Sequence, residues 1–263
     1  MKKWFICPDT KRVKIKRCIA KCRMGDRCFP KAYLKEISGT SRWKGRVNAS
    51  SFTNGARYEY LRYLSDWATA PIDNAWAVLG TRVHKRLEQK VDSELYMRFH
   101  DIASRLDALE ELDDGGLRII DYKVSGSYPV AMALGIYKEE ITVTDQKGIP
   151  VRYKTGAKAG QIKTRQEIKY DPEKADIEPY IIQLNIYRQQ FEELLAVPEG
   201  KKFLGDLWEK YQGKKVTSLK IHFIVRDGNT ISATTRGVDK PMYYVDIPIL
   251  DITEKTEPKK KTL

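Results

Sequence analysis

Residues 103–124, ASRLDALEELDDGGLRIIDYKV, decide the fold. Two runs rich in apolar residues, 103–112 and 117–124, flank the turn sequence Asp113-Asp114-Gly115-Gly116. Aspartate and glycine readily adopt the backbone conformations of tight turns, so this pattern predicts a β-hairpin. Each predicted strand carries an aspartate, Asp107 in the first and Asp121 in the second.

The triplet Asp121-Tyr122-Lys123 stands at the end of the second predicted strand. Similar acidic-x-Lys triplets recur along the chain, but only this one directly follows a mostly apolar strand run. Side chains alternate along a strand, so Asp121 and Lys123 share a face, and the short turn returns Asp107 beside them. A surface hairpin with a solvated Asp–Lys pair is the alternative interpretation.

Two carboxylates grouped with one lysine suit the hydrolysis of a phosphodiester. The phosphodiester is anionic, so a nucleophile approaches it against charge repulsion. Two carboxylates hold Mg²⁺ or Mn²⁺, which prefers oxygen ligands, offsets that charge and acidifies a water molecule. A lysine beside them orients the water and stabilises developing negative charge. The hairpin is therefore a candidate site for a metal-dependent nuclease.

A predicted helix that begins at about residue 74 carries further candidates. Its apolar residues recur at helical spacing, and beside them Gly80, His84 and Glu88 stand four positions apart. His84 and Glu88 can therefore point at one metal ion. The alternative is a structural or solvated histidine, which is the commoner role of a single histidine on a helix.

A second predicted helix, residues 179–195, carries Gln183 and Tyr187 four positions apart. Gln183 is a candidate to hydrogen-bond the attacking water, the phosphate or a metal-bound ligand. Tyr187 is a candidate to hydrogen-bond or to stack on nucleic acid. Ordinary helix packing is the alternative for both.

Taken in order, these segments resemble the RecB-like branch of the PD-(D/E)xK nucleases over residues 48–251. That branch carries a helix with G-x3-H, a strand aspartate, a strand D-x-K and a helix with Q-x3-Y. The chain is also similar to phage, prophage and CRISPR-adaptation members of the branch. The segments that carry this similarity are Ala49-Ser50-Ser51, Gly80-Thr81-Arg82-Val83-His84 and Gln183-Leu184-Asn185-Ile186-Tyr187-Arg188.

The resemblance implies an α/β fold with a restriction-endonuclease-like core, in which a central mixed sheet is flanked by helices. It implies that Lys123 acts on the attacking water. Residues 125–178 are an insertion between the third and fourth motifs, and we expect its lysines and arginines to form a wall of a DNA channel. Many relatives have glycine where this chain has Ser104, a departure expected to affect a turn more than the metal. The implied ligands of Mg²⁺ or Mn²⁺ are His84, Asp107, Asp121 and the carbonyl of Tyr122, with Glu88 as a further candidate.

The four cysteines cluster near the start of the chain with the spacing C-x10-C-x3-C-x5-C. Nothing in the sequence indicates secretion, so clustered thiols favour a metal over disulfides. A predicted hairpin, residues 4–7 and 13–15, precedes three of them in a module small enough to need zinc for folding. A 4Fe–4S cluster is the alternative, although relatives that hold one place three cysteines after the nuclease core, and reduced thiols without metal are a third. The candidate ligands are Cys7, Cys18, Cys22 and Cys28.

The charge of the chain indicates the class of partner. Lys and Arg number 48 against 35 Asp and Glu, a net charge of +13. Such an excess attracts polyanions such as DNA, although an ordinary basic protein would also carry it. No apolar run is long enough to span a membrane, and the first residues lack the apolar stretch of a signal peptide. These features predict a cytoplasmic protein without a membrane partner, in the host cytoplasm if a phage encodes it.

The predicted organisation is a cysteine-rich metal-binding module at residues 1–40, a nuclease domain at 41–252 and a basic flexible tail at 253–263. The predicted function is hydrolysis of DNA as an exonuclease in recombination, repair, replication or defence, together with partner proteins of those processes. Two alternatives stay open at this point. One is a catalytically silent nucleic-acid-binding protein on a nuclease fold, and the other is a zinc-dependent regulator.

Overall fold

The computed structural model describes residues 2–39, 47–87, 92–99 and 102–252, and this part of the chain is a mixed α/β protein with mixed sheets flanked by helices. The chain divides into two compact units. The first contains the described parts of Met1–Lys123, Pro179–Ile221 and Asp246–Leu263. The second contains Val124–Glu178 and His222–Val245. The predicted module boundary at residue 40 and the predicted tail at 253–263 lie outside the described residues.

The described strands are β1 (Lys2–Ile6), β2 (Arg12–Lys14), β3 (Val47–Asn48), β4 (Trp67–Thr69), β5 (Asp92–Phe99), β6 (Ile102–Glu111), β7 (Leu117–Ser125), β8 (Ile136–Thr142), β9 (Thr164–Tyr170), β10 (Val216–Val225) and β11 (Met242–Ile247). The described α-helices are α1 (Ile15–Ala20), α2 (Lys31–Glu36), α3 (Ala56–Leu64), α4 (Ala75–Leu87), α5 (Ser127–Ala133), α6 (Glu178–Ala196), α7 (Lys201–Leu204), α8 (Asp206–Tyr211) and α9 (Ile231–Thr234). Short 3-10 helices lie at Ala49–Thr53, Pro71–Asn74, Pro172–Lys174 and Pro198–Gly200. None of the helices in the described ranges has the length and apolar character needed to cross a membrane.

The predicted hairpin lies within a mixed six-stranded sheet of order β11-β10-β7-β6-β3, in which β5 also pairs with β6. β6 and β7 are antiparallel, with Leu109 opposite Ile119. Gly115 adopts a left-handed conformation with φ of 81° in the turn between them, which a residue without a Cβ does at little cost. β5 is antiparallel to β6, whereas β3 is parallel to it.

The strands that carry the two aspartates are anchored by apolar side chains. Leu106 in β6 and Ile119 in β7 are fully buried, as are Leu184 and Phe191 in α6. Burial of each such side chain contributes about 1.5–3 kcal/mol. Burial of Leu106 and Ile119 holds the strand segments next to Asp107 and Asp121 in place.

The N-terminal hairpin also forms as predicted. β1 and β2 are antiparallel, with Phe5 opposite Val13. On its other side β1 pairs in parallel with β4, so a three-stranded sheet of order β2-β1-β4 joins the cysteine-containing segment to residues 67–69.

For the rest of the chain, β-branched and apolar runs in the sequence predict short strands at 141–143 and 151–153 and a last hairpin of 220–225 and 230–235, and only part of this prediction is confirmed. The predicted strand at residues 230–235 is helix α9, because the hydroxyl of Thr230 accepts a hydrogen bond from the N–H of Ala233 at 3.2 Å and caps a helix. The strand beside β10 is instead β11. The predicted strand at 141–143 is the end of the longer strand β8, which pairs with β9. The predicted strand at 151–153 is wrong, because this segment forms only an isolated bridge between Arg152 and Ile162.

Candidate active site

Asp107 and Asp121 lie where the paired strands β6 and β7 separate. The register of the two strands ends at Ala108 opposite Ile120, and one further step sets Asp107 opposite Asp121. At that step Asp107 Oδ2 accepts a hydrogen bond from the backbone N–H of Tyr122 at 2.9 Å. A side-chain carboxylate therefore occupies the place that a backbone acceptor fills in a continuous ladder.

Asp121 forms an ion pair with Lys123 on the same face of β7, as strand alternation predicts. The distance from Lys123 Nζ to Asp121 Oδ2 is 2.8 Å. Asp121 is 2% exposed and Asp107 is 8% exposed, whereas the Lys123 side chain is 29% exposed. Solvent therefore reaches the lysine but scarcely reaches the two carboxylates.

Helix α6 brings Gln183 and Tyr187 to this ion pair. Gln183 Nε2 donates to Asp121 Oδ1 at 3.2 Å and to the hydroxyl oxygen of Tyr187 at 2.6 Å. Gln183 Oε1 accepts from Lys123 Nζ at 3.4 Å. One amide thus bridges both members of the ion pair. The spacing of four residues puts Gln183 and Tyr187 on one side of the helix, and both are buried.

The charges of the two aspartates shift the pKa of Lys123 and of Tyr187. Burial opposes the charged form of Lys123, but the negative charge of Asp121, their hydrogen bond and the charge of Asp107 outweigh it and raise the pKa of the lysine. Burial and then the charge of Asp121 raise the pKa of Tyr187. At neutral pH Lys123 is therefore a cation and Tyr187 a neutral phenol.

The donor groups fit a divalent cation by their chemistry. Two buried carboxylates beside one lysine leave a net negative charge, and carboxylate oxygens are the usual ligands of Mg²⁺ and Mn²⁺. Within the described part of the chain, no three His, Cys, Asp or Glu side chains are grouped so that they could hold a metal ion. Asp107 and Asp121 therefore have Lys123 as their described charged neighbour, and further metal ligands stay a prediction.

The other predicted metal ligands are only partly described. Position 84 lies in helix α4, as predicted, but the side chain of His84 and the whole of Glu88 lie outside the described residues. The backbone N–H of Tyr122 bonds Asp107, and the role of its carbonyl as a ligand stays a prediction.

Ser104 corrects the expectation that its departure from glycine affects a turn. It lies inside β6 and is buried, and its hydroxyl donates a hydrogen bond to Oε1 of Gln190 in α6. Gln190 Nε2 in turn donates to the carbonyl of Ile102 at 3.1 Å. The serine therefore ties the strand of Asp107 to the helix that carries Gln183.

A cavity of about 520 Å³ adjoins Tyr187 and involves residues that the sequence patterns did not single out. Tyr96 of β5 lies opposite Arg105 of β6 in this region. The alternation that places Asp107 on one face of β6 also places Arg105 there, so part of the signal was present in the strand pattern. The lining residues are Asn48, Ala49, Ser50, Tyr96, Ala103, Ser104, Arg105 and Tyr187.

The sequence predicts a metal site at the four cysteines, but within the described residues no three of them are grouped as metal ligands. Cys18 is buried in a core with Phe5 and Leu34, whereas Cys28 is exposed. Burial, followed by the charges of Cys7, Cys28 and Cys22, raises the pKa of the Cys18 thiol. The bound metal therefore stays a prediction that rests on the spacing of the cysteines in the sequence.

No protein-family model matches the chain, and no curated protein matches it. Among solved structures, the crystal structure of SSO0001 matches with 14% sequence identity and a TM-score of 0.38. The match covers 88% of this chain and 81% of that chain.

Proposed function

We propose that the chain is a metal-dependent nuclease that hydrolyses phosphodiester bonds of DNA. The observation that supports this best is the buried Asp107–Asp121 arrangement with Lys123 at 2.8 Å from Asp121. A solvated Asp–Lys pair on a surface hairpin does not account for carboxylates that are 8% and 2% exposed. Burying two carboxylates together lowers stability, and arrangements of that kind concentrate at functional sites.

Each side chain has a distinct role in the proposed reaction. Asp107 and Asp121 would hold the cation through their carboxylate oxygens. When bound, Mg²⁺ or Mn²⁺ offsets the charge of the phosphodiester and lowers the pKa of a water molecule. The raised pKa keeps the proton on Lys123, so the lysine orients the water as a hydrogen-bond donor and stabilises developing negative charge.

Gln183 and Tyr187 position these groups. The amide of Gln183 contacts both Asp121 and Lys123, so it sets their separation. The hydroxyl of Tyr187 accepts from the same amide and fixes its orientation. A rigid arrangement of this kind reduces the reorganisation needed when charge develops during the reaction.

The details of the fold, the full ligand set and the substrate are proposed from the resemblance to the RecB-like branch. It comprises a restriction-endonuclease-like core, in which His84 and the carbonyl of Tyr122 complete the ligand set and Glu88 is a further candidate. DNA as substrate is supported by the net charge of +13. Action on DNA ends, with partners in recombination, repair, replication or defence, is proposed on the same basis.

For the cysteine cluster we propose bound Zn²⁺, with a 4Fe–4S cluster as the alternative. Four thiolates are a common ligand set for structural zinc, and the four cysteines lie close together in the sequence, although no three of them are grouped as metal ligands in the described structure. Zinc would add stability to the small apolar cluster of this segment, whose buried side chains are Phe5, Val13, Ile15, Cys18, Leu34 and Ile37. Metal analysis of the purified protein tests this, since iron with sulfide would exclude zinc alone.

The nuclease proposal is tested with end-labelled single- and double-stranded DNA incubated with Mg²⁺ or Mn²⁺. Wild type is compared with Asp121→Asn, Lys123→Met and the control Asp246→Asn. Asp246 also pairs with a lysine, Lys220 at 3.1 Å, but is 71% exposed. We expect cleavage by wild type and by the control, with loss of cleavage in both site variants. EDTA abolishes cleavage if a divalent cation is required.

Two results would count against this proposal. Equal cleavage by wild type and Asp121→Asn would exclude the assigned site. Tight DNA binding by wild type without cleavage under any metal would favour the silent binding protein.

A further inference from the structure

The cavity beside Tyr187 has features of a nucleotide-binding site. Its volume is about 520 Å³, within the range of about 300–1,000 Å³ typical of small-molecule sites. A single nucleotide is of that size class, whereas a duplex is too wide to enter. The cavity lies wholly within the first compact unit, and its lining comes from β3, the 3-10 helix Ala49–Thr53, β5, β6 and α6.

An aromatic ring and a guanidinium lie side by side on its sheet wall. Tyr96 and Arg105 are directly opposite in the antiparallel register of β5 and β6. Directly opposite residues have Cβ atoms about 4.5–5.5 Å apart, so both side chains leave the sheet at one place. Tyr96 is half exposed and Arg105 is exposed. Tyrosine stacks on bases, and arginine forms paired hydrogen bonds with phosphate, so together they match the two ends of a nucleotide.

The part of the lining that follows β3 is held in place by a buried carboxylate that the proposed reaction does not use. Glu59 is fully buried in α3 and accepts hydrogen bonds from the Ser51 hydroxyl at 3.3 Å and from Asn54 Nδ2 at 2.6 Å. These contacts fix the turn that carries Asn48 and Ser50 into the cavity lining. A preformed wall of this kind lowers the conformational cost of binding.

The cavity is connected to the candidate active site through one residue. Tyr187 lines the cavity and accepts a hydrogen bond from Gln183, which contacts Asp121. Arg105 and Asp107 stand two positions apart on β6, on one face by strand alternation. The cavity is therefore linked to Asp121 through Tyr187 and Gln183.

We infer that this cavity is a subsite for one unpaired nucleotide of the DNA strand, in which Tyr96 stacks on the base and Arg105 binds a phosphate. The inference rests on the proposed function, because it orients a strand relative to Asp107 and Asp121. It adds two residues, Tyr96 and Arg105, that the proposed reaction does not use and that would position the strand.

Binding in EDTA separates this subsite from cleavage. Fluorescence anisotropy is measured with fluorescein-labelled oligothymidylate and with a duplex of equal length. We expect Tyr96→Ala to weaken single-strand binding roughly tenfold and to change duplex binding little, while Tyr96→Phe retains affinity because the ring remains. We expect Arg105→Gln to reduce the slope of log affinity against log salt by about 0.7.

Matched controls remove the same groups elsewhere. Tyr244→Ala removes a tyrosine that is 65% exposed, and Arg165→Gln removes an exposed arginine of the β8–β9 hairpin. Equal single-strand affinity of Tyr96→Ala and Tyr244→Ala would overturn the subsite, as would equal losses for single strand and duplex. If binding depends on Tyr96 but wild type never cleaves with Mn²⁺, the subsite stands and the nuclease proposal fails. If wild type cleaves and Tyr96→Ala binds like wild type, the subsite fails and the nuclease proposal stands.

Discussion

Replacing Lys123 with methionine removes a cation and nearly preserves the length and apolar stem of the side chain. The cation lies 2.8 Å from a carboxylate that is 2% exposed, so Asp121 is left charged, buried and held by its hydrogen bond from Gln183. Removing one partner of a fully buried pair costs about 3–5 kcal/mol. Since the Lys123 side chain is 29% exposed, solvent screens part of the pair, and we expect a loss of about 2–3 kcal/mol.

The same substitution is expected to strengthen metal binding. Lys123 and a divalent cation both interact with the charge of Asp121, so removing the lysine leaves more negative charge for the metal to offset. If Mn²⁺ binds tenfold more tightly to Lys123→Met, saturating metal stabilises the variant by about 1.4 kcal/mol more than wild type. Metal therefore recovers part of the stability that the substitution removes, even though activity is lost.

The assay is urea unfolding followed by circular dichroism, in EDTA and in Mn²⁺. Lys220→Met is the matched control, because its partner Asp246 is 71% exposed and remains solvated, so we expect a loss below about 1 kcal/mol. A Lys123→Met protein as stable as Lys220→Met in EDTA would refute the buried-pair reasoning. Equal stabilisation of wild type and Lys123→Met by Mn²⁺ would refute the shared-charge reasoning.

Three further predictions concern pH, thiol reactivity and the phenol. Because the pKa of Lys123 is raised on folding, its stabilising contribution is fully present below the ordinary lysine pKa and is lost as pH rises through the folded value. The difference in unfolding free energy between wild type and Lys123→Met should therefore stay constant from about pH 6 to 9. Urea unfolding at several pH values would contradict this if the difference fell within that range. In metal-free protein, iodoacetamide should modify exposed Cys28 before Cys18, because burial and a raised pKa suppress the thiolate of Cys18. Bound Zn²⁺ should protect both thiols. Equal rates of modification of Cys18 and Cys28 in metal-free protein, measured by mass spectrometry, would contradict this. Tyr187→Phe removes the acceptor 2.6 Å from Gln183 Nε2 and should lower unfolding free energy by about 1 kcal/mol and slow cleavage, whereas unchanged stability and rate would deny it a positioning role.

The hairpin and the two long helices were predictable because their signals are local. The turn between β6 and β7 depends on neighbouring Asp and Gly residues, and strand alternation alone places Asp121 with Lys123. The spacing of four residues similarly puts Gln183 and Tyr187 on one side of α6. What local patterns did not show is that one amide bridges Asp121 and Lys123, since this depends on how α6 packs on β7.

The predictions that failed have two causes, a side-chain cap and the pairing of distant strands. The segment that follows Thr230 is rich in β-branched residues, yet a side-chain cap starts a helix there, and the strand next to β10 comes from residues further along the chain. The pairing of Tyr96 with Arg105 likewise depends on the register of β5 and β6. A propensity scale describes single residues and does not encode such pairings.

Counting bound Mn²⁺ by electron paramagnetic resonance tests most directly whether Asp107 and Asp121 together hold a cation. Wild type and the exposed-carboxylate control Asp246→Asn are compared with Asp107→Asn and Asp121→Asn. We predict that each of the two site variants loses the same Mn²⁺ site and that the control retains it. Unchanged Mn²⁺ binding in both Asp107→Asn and Asp121→Asn would contradict the shared site and, with it, the proposed mechanism.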